Sequence, residues 1–108
     1  METLNFSFPA RRYPKAIVNP EDFSLCGVVG SGNLEVLMQP GNQADTCEIQ
    51  LCTSAQGFQD IWRAVLGAFA AEYPVGGMRF AINDLGATPA VVSLRLTQAF
   101  HDFEKGGQ

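Results

Sequence analysis

The sequence predicts an α+β fold, in which two helices pack on one face of a small, mostly antiparallel sheet in the order β-β-β-α-β-α. The chain has 108 residues and is 46% hydrophobic, which suits one globular domain with a core of its own. Short β-rich runs bounded by glycine or proline precede residue 53. Two stretches with apolar residues at helical spacing follow it, so strands and helices are both needed.

The first strands are predicted around a glycine-containing link. Two apolar runs, 25–29 and 34–38, are joined by Gly30-Ser31-Gly32-Asn33, a pattern typical of a β-hairpin. A third strand is predicted at 47–52, where apolar and polar residues alternate. Residues 1–24 contain prolines and scattered charges, which predict an extended N-terminal arm lying on the domain or on a partner. The alternative for residues 1–24 is a disordered tail. Residues 25–108 are predicted to form the single domain.

Two helices and a fourth strand complete the predicted order. Thr53 and Gln56 have capping-box spacing and predict the start of the first helix, whose apolar stripe is Phe58, Ile61, Trp62, Val65, Leu66, Phe69 and Tyr73. Alternation over 78–82 predicts the fourth strand, which ends in the turn at 83–86. Thr88-Pro89 predicts the second helix start, with the stripe Val92, Leu96, Ala99, Phe100 and Phe103.

Charge and composition argue against several functions. Seven Lys and Arg against eleven Asp and Glu is the wrong balance for binding nucleic acid. With His101 as the one histidine, a self-contained acid/base or metal site is hard to build. The three cysteines lack CxxC spacing and are expected to be reduced thiols. No signal peptide and no apolar run of membrane-spanning length is visible, so we expect a cytoplasmic protein without membrane contact.

Ser31 is the residue that chemistry singles out. Gly30 and Gly32 allow unusual backbone angles and leave no side chain to shield the serine hydroxyl. The serine could serve as a nucleophile, as an acceptor that another enzyme modifies, or simply as a turn residue. A nucleophile needs a positioned base, and a pair with His101 has little support because His101 fits the end of the last helix. The spacing also misses the GxGxxG phosphate-loop pattern.

Two blocks of the sequence carry a resemblance to a known family. They are Gly27-Val28-Val29-Gly30-Ser31-Gly32-Asn33-Leu34-Glu35-Val36-Leu37 and Gly86-Ala87-Thr88-Pro89-Ala90-Val91-Val92-Ser93-Leu94-Arg95-Leu96-Thr97-Gln98-Ala99. Together they resemble the acyl carrier (delta) subunit of bacterial malonate decarboxylase, over about 27–103. A more distant likeness is to the gamma chain of citrate lyase, which is also an acyl carrier.

The resemblance implies that Ser31 carries a covalent 2'-(5''-phosphoribosyl)-3'-dephospho-CoA group, attached by a prosthetic-group transferase. It also implies that the chain itself contributes no catalytic residue. A transferase-type subunit would exchange malonate for the acetyl group on the carrier thiol. Two carboxyltransferase-like subunits would then decarboxylate the malonyl thioester. The hairpin setting of the serine argues against the four-helix fold of fatty-acid carriers.

Two other functions stay open at this point. One is an unmodified scaffolding or interaction domain of a multi-subunit enzyme, in which Ser31 is only a turn residue. The other is a small hydrolase that uses Ser31 with His101. The carrier predicts a large adduct on Ser31, whereas the hydrolase predicts activity from the purified chain alone.

Overall fold

The computed structural model describes residues 1–15, 21, 23–27 and 33–105 of the chain. They form five strands and two helices in the order β-β-β-β-α-β-α: β1 (Glu2–Pro9), β2 (Ser24–Gly27), β3 (Asn33–Pro40), β4 (Thr46–Thr53), α1 (Gln59–Glu72), β5 (Met78–Leu85) and α2 (Pro89–Glu104). The α+β class and the placement of both helices agree with the prediction.

The five strands make one sheet with the order β1-β4-β5-β3-β2. Three of the four neighbouring pairs are antiparallel, and β4 with β5 is the parallel pair. A parallel pair needs a crossover connection, and α1 provides it between β4 and β5. The mostly antiparallel sheet is therefore confirmed, with a parallel pair at its centre.

The strand β1 is the main addition to the predicted order. Its residues pair with the whole of β4, from Glu2 opposite Thr53 to Pro9 opposite Thr46. The sequence predicts an extended arm over 1–24 from its prolines and scattered charges, and the structure shows a paired strand at 2–9 instead. Pro9 occupies the last position of an edge strand, where a missing N–H is tolerated.

The chain that follows β1 also lies on the domain as far as residue 15. Arg12 forms a β-bridge with Gly76, and Tyr13 is buried. The Tyr13 ring packs edge-on against Phe103 of α2, with the ring centres 5.6 Å apart. This part of the predicted arm is therefore held by its own domain.

Alternate residues of the strands face a single core. The buried hydrophobic residues of the strands are Phe6, Leu34, Val36, Met38, Cys47, Ile49, Leu51, Met78, Phe80 and Ile82. The residues between them are at least partly exposed, so one face of the sheet is covered and both helices lie on that face. From α2 the core receives all five residues of the predicted stripe, Val92, Leu96, Ala99, Phe100 and Phe103.

The two helix starts differ in how well the sequence anticipated them. Thr88 caps α2 as predicted, because its side-chain oxygen accepts a hydrogen bond from Val91 N at 3.3 Å. The capping box of Thr53 and Gln56 is wrong. The α1 N-cap position is Phe58, which makes no side-chain cap, and Thr53 ends β4 instead.

The stripe of α1 is also narrower than its spacing indicated. Trp62, Leu66 and Phe69 are buried, but Phe58 and Ile61 are 47% and 51% exposed. Phe58 is the N-cap position and Ile61 lies in the first turn of the helix. No helix in the described part of the chain is long and apolar enough to cross a membrane.

Candidate functional site

Ser31, Gly30 and Gly32 lie outside the described residues, so their prediction rests on the two strands that flank them. The pairing of β2 with β3 is antiparallel, as the predicted hairpin requires. Its last described pair is Gly27 opposite Glu35. Ser31 is four positions along the chain from each of these two residues, so it is the midpoint of the connection in sequence.

Asn33 begins β3 two residues after Ser31 and has three contacts that fix it. Its Oδ1 atom accepts a hydrogen bond from Leu34 N at 2.8 Å and another from Arg95 Nε at 3.3 Å. Its backbone also forms a β-bridge with Gly86. Gly86 has a φ of +92°, a left-handed conformation that favours glycine.

These contacts join the two sequence blocks that carry the family resemblance. Asn33 belongs to the first block, while Gly86 and Arg95 belong to the second. The blocks are separated by 48 residues, 38–85, yet the antiparallel pairing of β3 with β5 brings them together at one end of the sheet. The second block therefore contacts Asn33, which follows Ser31 by two positions in the sequence.

A buried carboxyl group holds the turn between β5 and α2. Asp84 is 2% exposed, and its two oxygens accept hydrogen bonds from Thr53 Oγ1 at 2.8 Å and from Ala87 N at 2.9 Å. Thr53 is fully buried, and its hydroxyl also accepts a hydrogen bond from Ala55 N. This network ties β4 and β5 to the residues just before α2.

An apolar cavity of about 300 Å³ opens beside the same turn. It lies between the first turns of the two helices, and Gly86 and Ala87 form part of its wall. The partly exposed Phe58 and Ile61 line it from α1. This end of the sheet thus combines a polar cluster around Asn33 with an apolar concavity.

His101 lies in the last turn of α2, as predicted. Its Nδ1 atom is 3.6 Å from Glu104 Oε1, and its ring contacts Tyr73 and Phe100. Arg95 precedes it by six residues, which is about 9 Å along a helix. The structure therefore sets His101 in a C-terminal cluster of α2, away from the turn of the helix that contacts Asn33.

The cysteines of the described side chains are free thiols. Cys47 is fully buried, and burial followed by the negative charge of Glu48 raises its pKa to about 12. Cys52 is half-buried, and the side chain of Cys26 is not among those described. Within the described ranges, no group of three or more His, Cys, Asp or Glu side chains is placed to hold a metal ion.

The sequence reasoning assigned no role to Asp84 or Arg95. Asp84 had been placed in a turn, but it continues the alternation of Met78, Phe80 and Ile82 and so lies on the buried face. That alternation was the available signal. For Arg95, neither the helical pattern nor the spacing shows that its neighbour is Asn33.

Comparisons with known proteins identify the family of the chain. Residues 22–103 match the family model described as the malonate decarboxylase delta subunit. The malonate decarboxylase acyl carrier protein of Acinetobacter calcoaceticus is 55% identical over 80 residues, covering 74% of this chain and 78% of that protein. The one from Burkholderia cepacia is 52% identical over 99 residues, covering 92% and 87%.

A solved structure also matches the fold. It is a Pseudomonas malonate decarboxylase hetero-tetramer in complex with malonate, and one of its chains superposes with a TM-score of 0.79. The sequence of that chain is 39% identical to the present one, and the match covers 94% of the present chain and 98% of the Pseudomonas chain. On the family model, the relatives and the shared fold, this chain belongs to the malonate decarboxylase delta subunit, or acyl carrier protein, family.

Proposed function

We propose that this protein is the acyl carrier subunit of a malonate decarboxylase and carries acetyl and malonyl groups on a prosthetic group attached to Ser31. The family match over residues 22–103 is the observation that carries this proposal. The group is 2'-(5''-phosphoribosyl)-3'-dephospho-CoA, linked through a phosphodiester to the serine oxygen. When attached, it supplies a terminal thiol that holds the acyl group as a thioester.

The strand register supports Ser31 as the attachment residue. Gly27 and Glu35 are paired across the sheet, and Ser31 is midway between them in sequence. Gly30 and Gly32 add no side chain beside the hydroxyl. Cys47 does not compete as the thiol that carries the acyl group, because it is buried and its raised pKa keeps it protonated at neutral pH.

The catalytic steps belong, on this proposal, to other subunits. A transferase-type subunit would load malonate, two carboxyltransferase-like subunits would decarboxylate it, and a prosthetic-group transferase would modify Ser31. The solved relative is a hetero-tetramer, which supports function within a complex. A net charge of -4 favours rapid encounter with basic surfaces on such partners. A tethered acyl group also reaches each active site at high local concentration.

We place this cycle in the cytoplasm and assign it no membrane or nucleic-acid partner. Cys47 and Cys52 remain free thiols, which fits a reducing compartment. The acidic charge balance is unfavourable for contact with phosphate backbones.

Intact-mass measurement tests the proposal. The chain is co-expressed with its prosthetic-group transferase as wild type, as Ser31→Ala and as Ser54→Ala, where Ser54 is an exposed serine elsewhere. We expect a large adduct on the wild type and on Ser54→Ala, and none on Ser31→Ala. An unmodified wild type, with a transferase that modifies a known acceptor, would overturn the proposal in favour of the scaffolding alternative.

A further inference from the structure

Arg95 is a partly buried cation whose hydrogen-bond partners among the described residues are neutral, and one of them, Asn33, follows Ser31 by two positions in the sequence. Its Nε atom donates to Asn33 Oδ1 at 3.3 Å, and its Nη1 atom donates to Gln98 Oε1 at 2.9 Å. Both acceptors are uncharged amide oxygens. The ion pairs of the described residues involve Arg12, Lys15 and His101, and none of them includes Arg95.

Glu35 and Asp84, the carboxyl groups of β3 and β5 near the ends that pair with each other, have hydrogen-bond partners of their own. Glu35 Oε1 accepts a hydrogen bond from Asn83 Nδ2 at 3.3 Å. Both oxygens of Asp84 accept hydrogen bonds from Thr53 and Ala87. Within the parts of the chain that the structure describes, no carboxylate lies within 4.0 Å of the guanidinium of Arg95.

The guanidinium retains donors for an anion. It has five N–H groups, and the described residues accept hydrogen bonds from two of them. Its planar fork can form two parallel hydrogen bonds to phosphate oxygens, a geometry that a lysine ammonium does not offer. The hydrogen bond to Asn33 holds this fork against a residue two positions from Ser31.

We propose that Arg95 binds the phosphodiester through which the prosthetic group is attached to Ser31, and so positions the root of the tether against α2. The donor set fits that anion, because a half-buried guanidinium near Asn33 has only neutral partners among the described residues. Asn33 would orient Arg95 toward the attachment point, and the bridge from Asn33 to Gly86 would keep that end of the sheet fixed. This inference rests on the proposed function.

Nuclear magnetic resonance of the full chain provides the first test. The Nε–H resonance of each arginine is recorded in the unmodified protein and in the protein carrying the group on Ser31. We expect a large shift for Arg95 on modification. Arg63 is the internal control, since it lies on α1 over the Phe6 ring, 5.1 Å from the ring centre, and should not shift. An unchanged Arg95 resonance in the fully modified protein would overturn the inference.

A thermal comparison provides the second test and cancels the effect of each substitution on folding. The difference in Tm between modified and unmodified protein is measured for the wild type, Arg95→Gln, Arg95→Lys and Arg63→Gln. We expect modification to raise Tm by roughly 4 °C in the wild type and Arg63→Gln. The difference should vanish in Arg95→Gln and persist in part in Arg95→Lys.

The outcomes separate this inference from the proposed function. An adduct on wild-type Ser31 with the same Tm difference in Arg95→Gln would overturn the role of Arg95 and leave the carrier function intact. No adduct on the wild type would overturn both. Slow modification of a folded Arg95→Gln, with normal modification of Arg63→Gln, would support the inference, because the contact would already be needed when the phosphate arrives.

Discussion

The hydrogen bond between Thr53 and Asp84 should contribute strongly to stability at the candidate site. Replacing Thr53 with valine keeps the shape of the side chain and exchanges its hydroxyl for a methyl group. Thr53 is fully buried and Asp84 is 2% exposed, so water has little access to either. The substitution removes a donor to Asp84 Oδ2 and an acceptor for Ala55 N.

The loss of each hydrogen bond has an expected cost in the free energy of unfolding. A buried acceptor without its partner costs about 1–3 kcal/mol, and the lost bond from the partly buried Ala55 N costs about 1 kcal/mol. Thr53→Val should therefore lower the free energy of unfolding by about 2–4 kcal/mol. Thr53→Ser keeps both hydrogen bonds and loses one buried methyl group, at about 1 kcal/mol.

Urea denaturation followed by circular dichroism measures both variants against the wild type. If the three proteins have similar m values, the differences between their denaturation midpoints report differences in the free energy of unfolding. In a chain of this length, about 1 kcal/mol corresponds to about 4 °C in Tm, so Thr53→Val should melt about 8–16 °C lower. If Thr53→Val proved as stable as Thr53→Ser, the hydroxyl network would not be what holds this turn.

Two further substitutions, Gly76→Ala and Cys47→Ala, test the packing of the fold. Cys47→Ala also tests how its stability depends on pH. A Cβ atom at Gly76 would come within 2.9 Å of three backbone carbonyl oxygens, so Gly76→Ala should cost about 2 kcal/mol or more in urea denaturation. Gly67→Ala, whose Cβ would meet only a phenylalanine ring at 3.3 Å, should change stability by less than about 1 kcal/mol; equal losses would refute the argument. Because burial and the charge of Glu48 raise the pKa of Cys47 from 9.0 to about 12, the protonated thiol stabilises the fold fully below pH 9.0, and this contribution is lost as the pH rises toward 12. The wild type should therefore lose its stability advantage over Cys47→Ala across that range in urea titrations, and at pH 8 iodoacetamide should label Cys52 before Cys47; early labelling of Cys47 would contradict its burial.

The sequence alone was sufficient for features that depend on neighbours along the chain. The cap of Thr88 and the stripe of α2 were predicted correctly, because helical spacing and capping act within a few residues. The pairing of β2 with β3 was predicted for the same reason, since a short connection brings adjacent strands together. The family, and with it the interest in Ser31, also came from contiguous blocks of residues.

Other features depended on contacts between distant segments. The first strand pairs with a strand more than 40 residues later, and its own pattern did not indicate that partner. The spacing of Thr53 predicted a helix cap, but its hydroxyl donates a hydrogen bond to Asp84 across the β4–β5 pair. A buried acceptor of this kind outweighs a local preference, because leaving it unpaired costs more than an absent cap.

The first of the two sequence blocks shows the same division. The sequence predicts that the serine hydroxyl is unshielded, because a glycine stands on each side of it between two predicted strands. That Arg95 lies at Asn33 was decided by the antiparallel pairing of β3 with β5 and by the packing of α2 on β3. Local spacing determines which elements form, but the partner of a charged side chain depends on how those elements pack. For that reason Ser31 could be proposed as the attachment residue from the sequence, while the contact of Arg95 with Asn33 could be identified only from the tertiary structure.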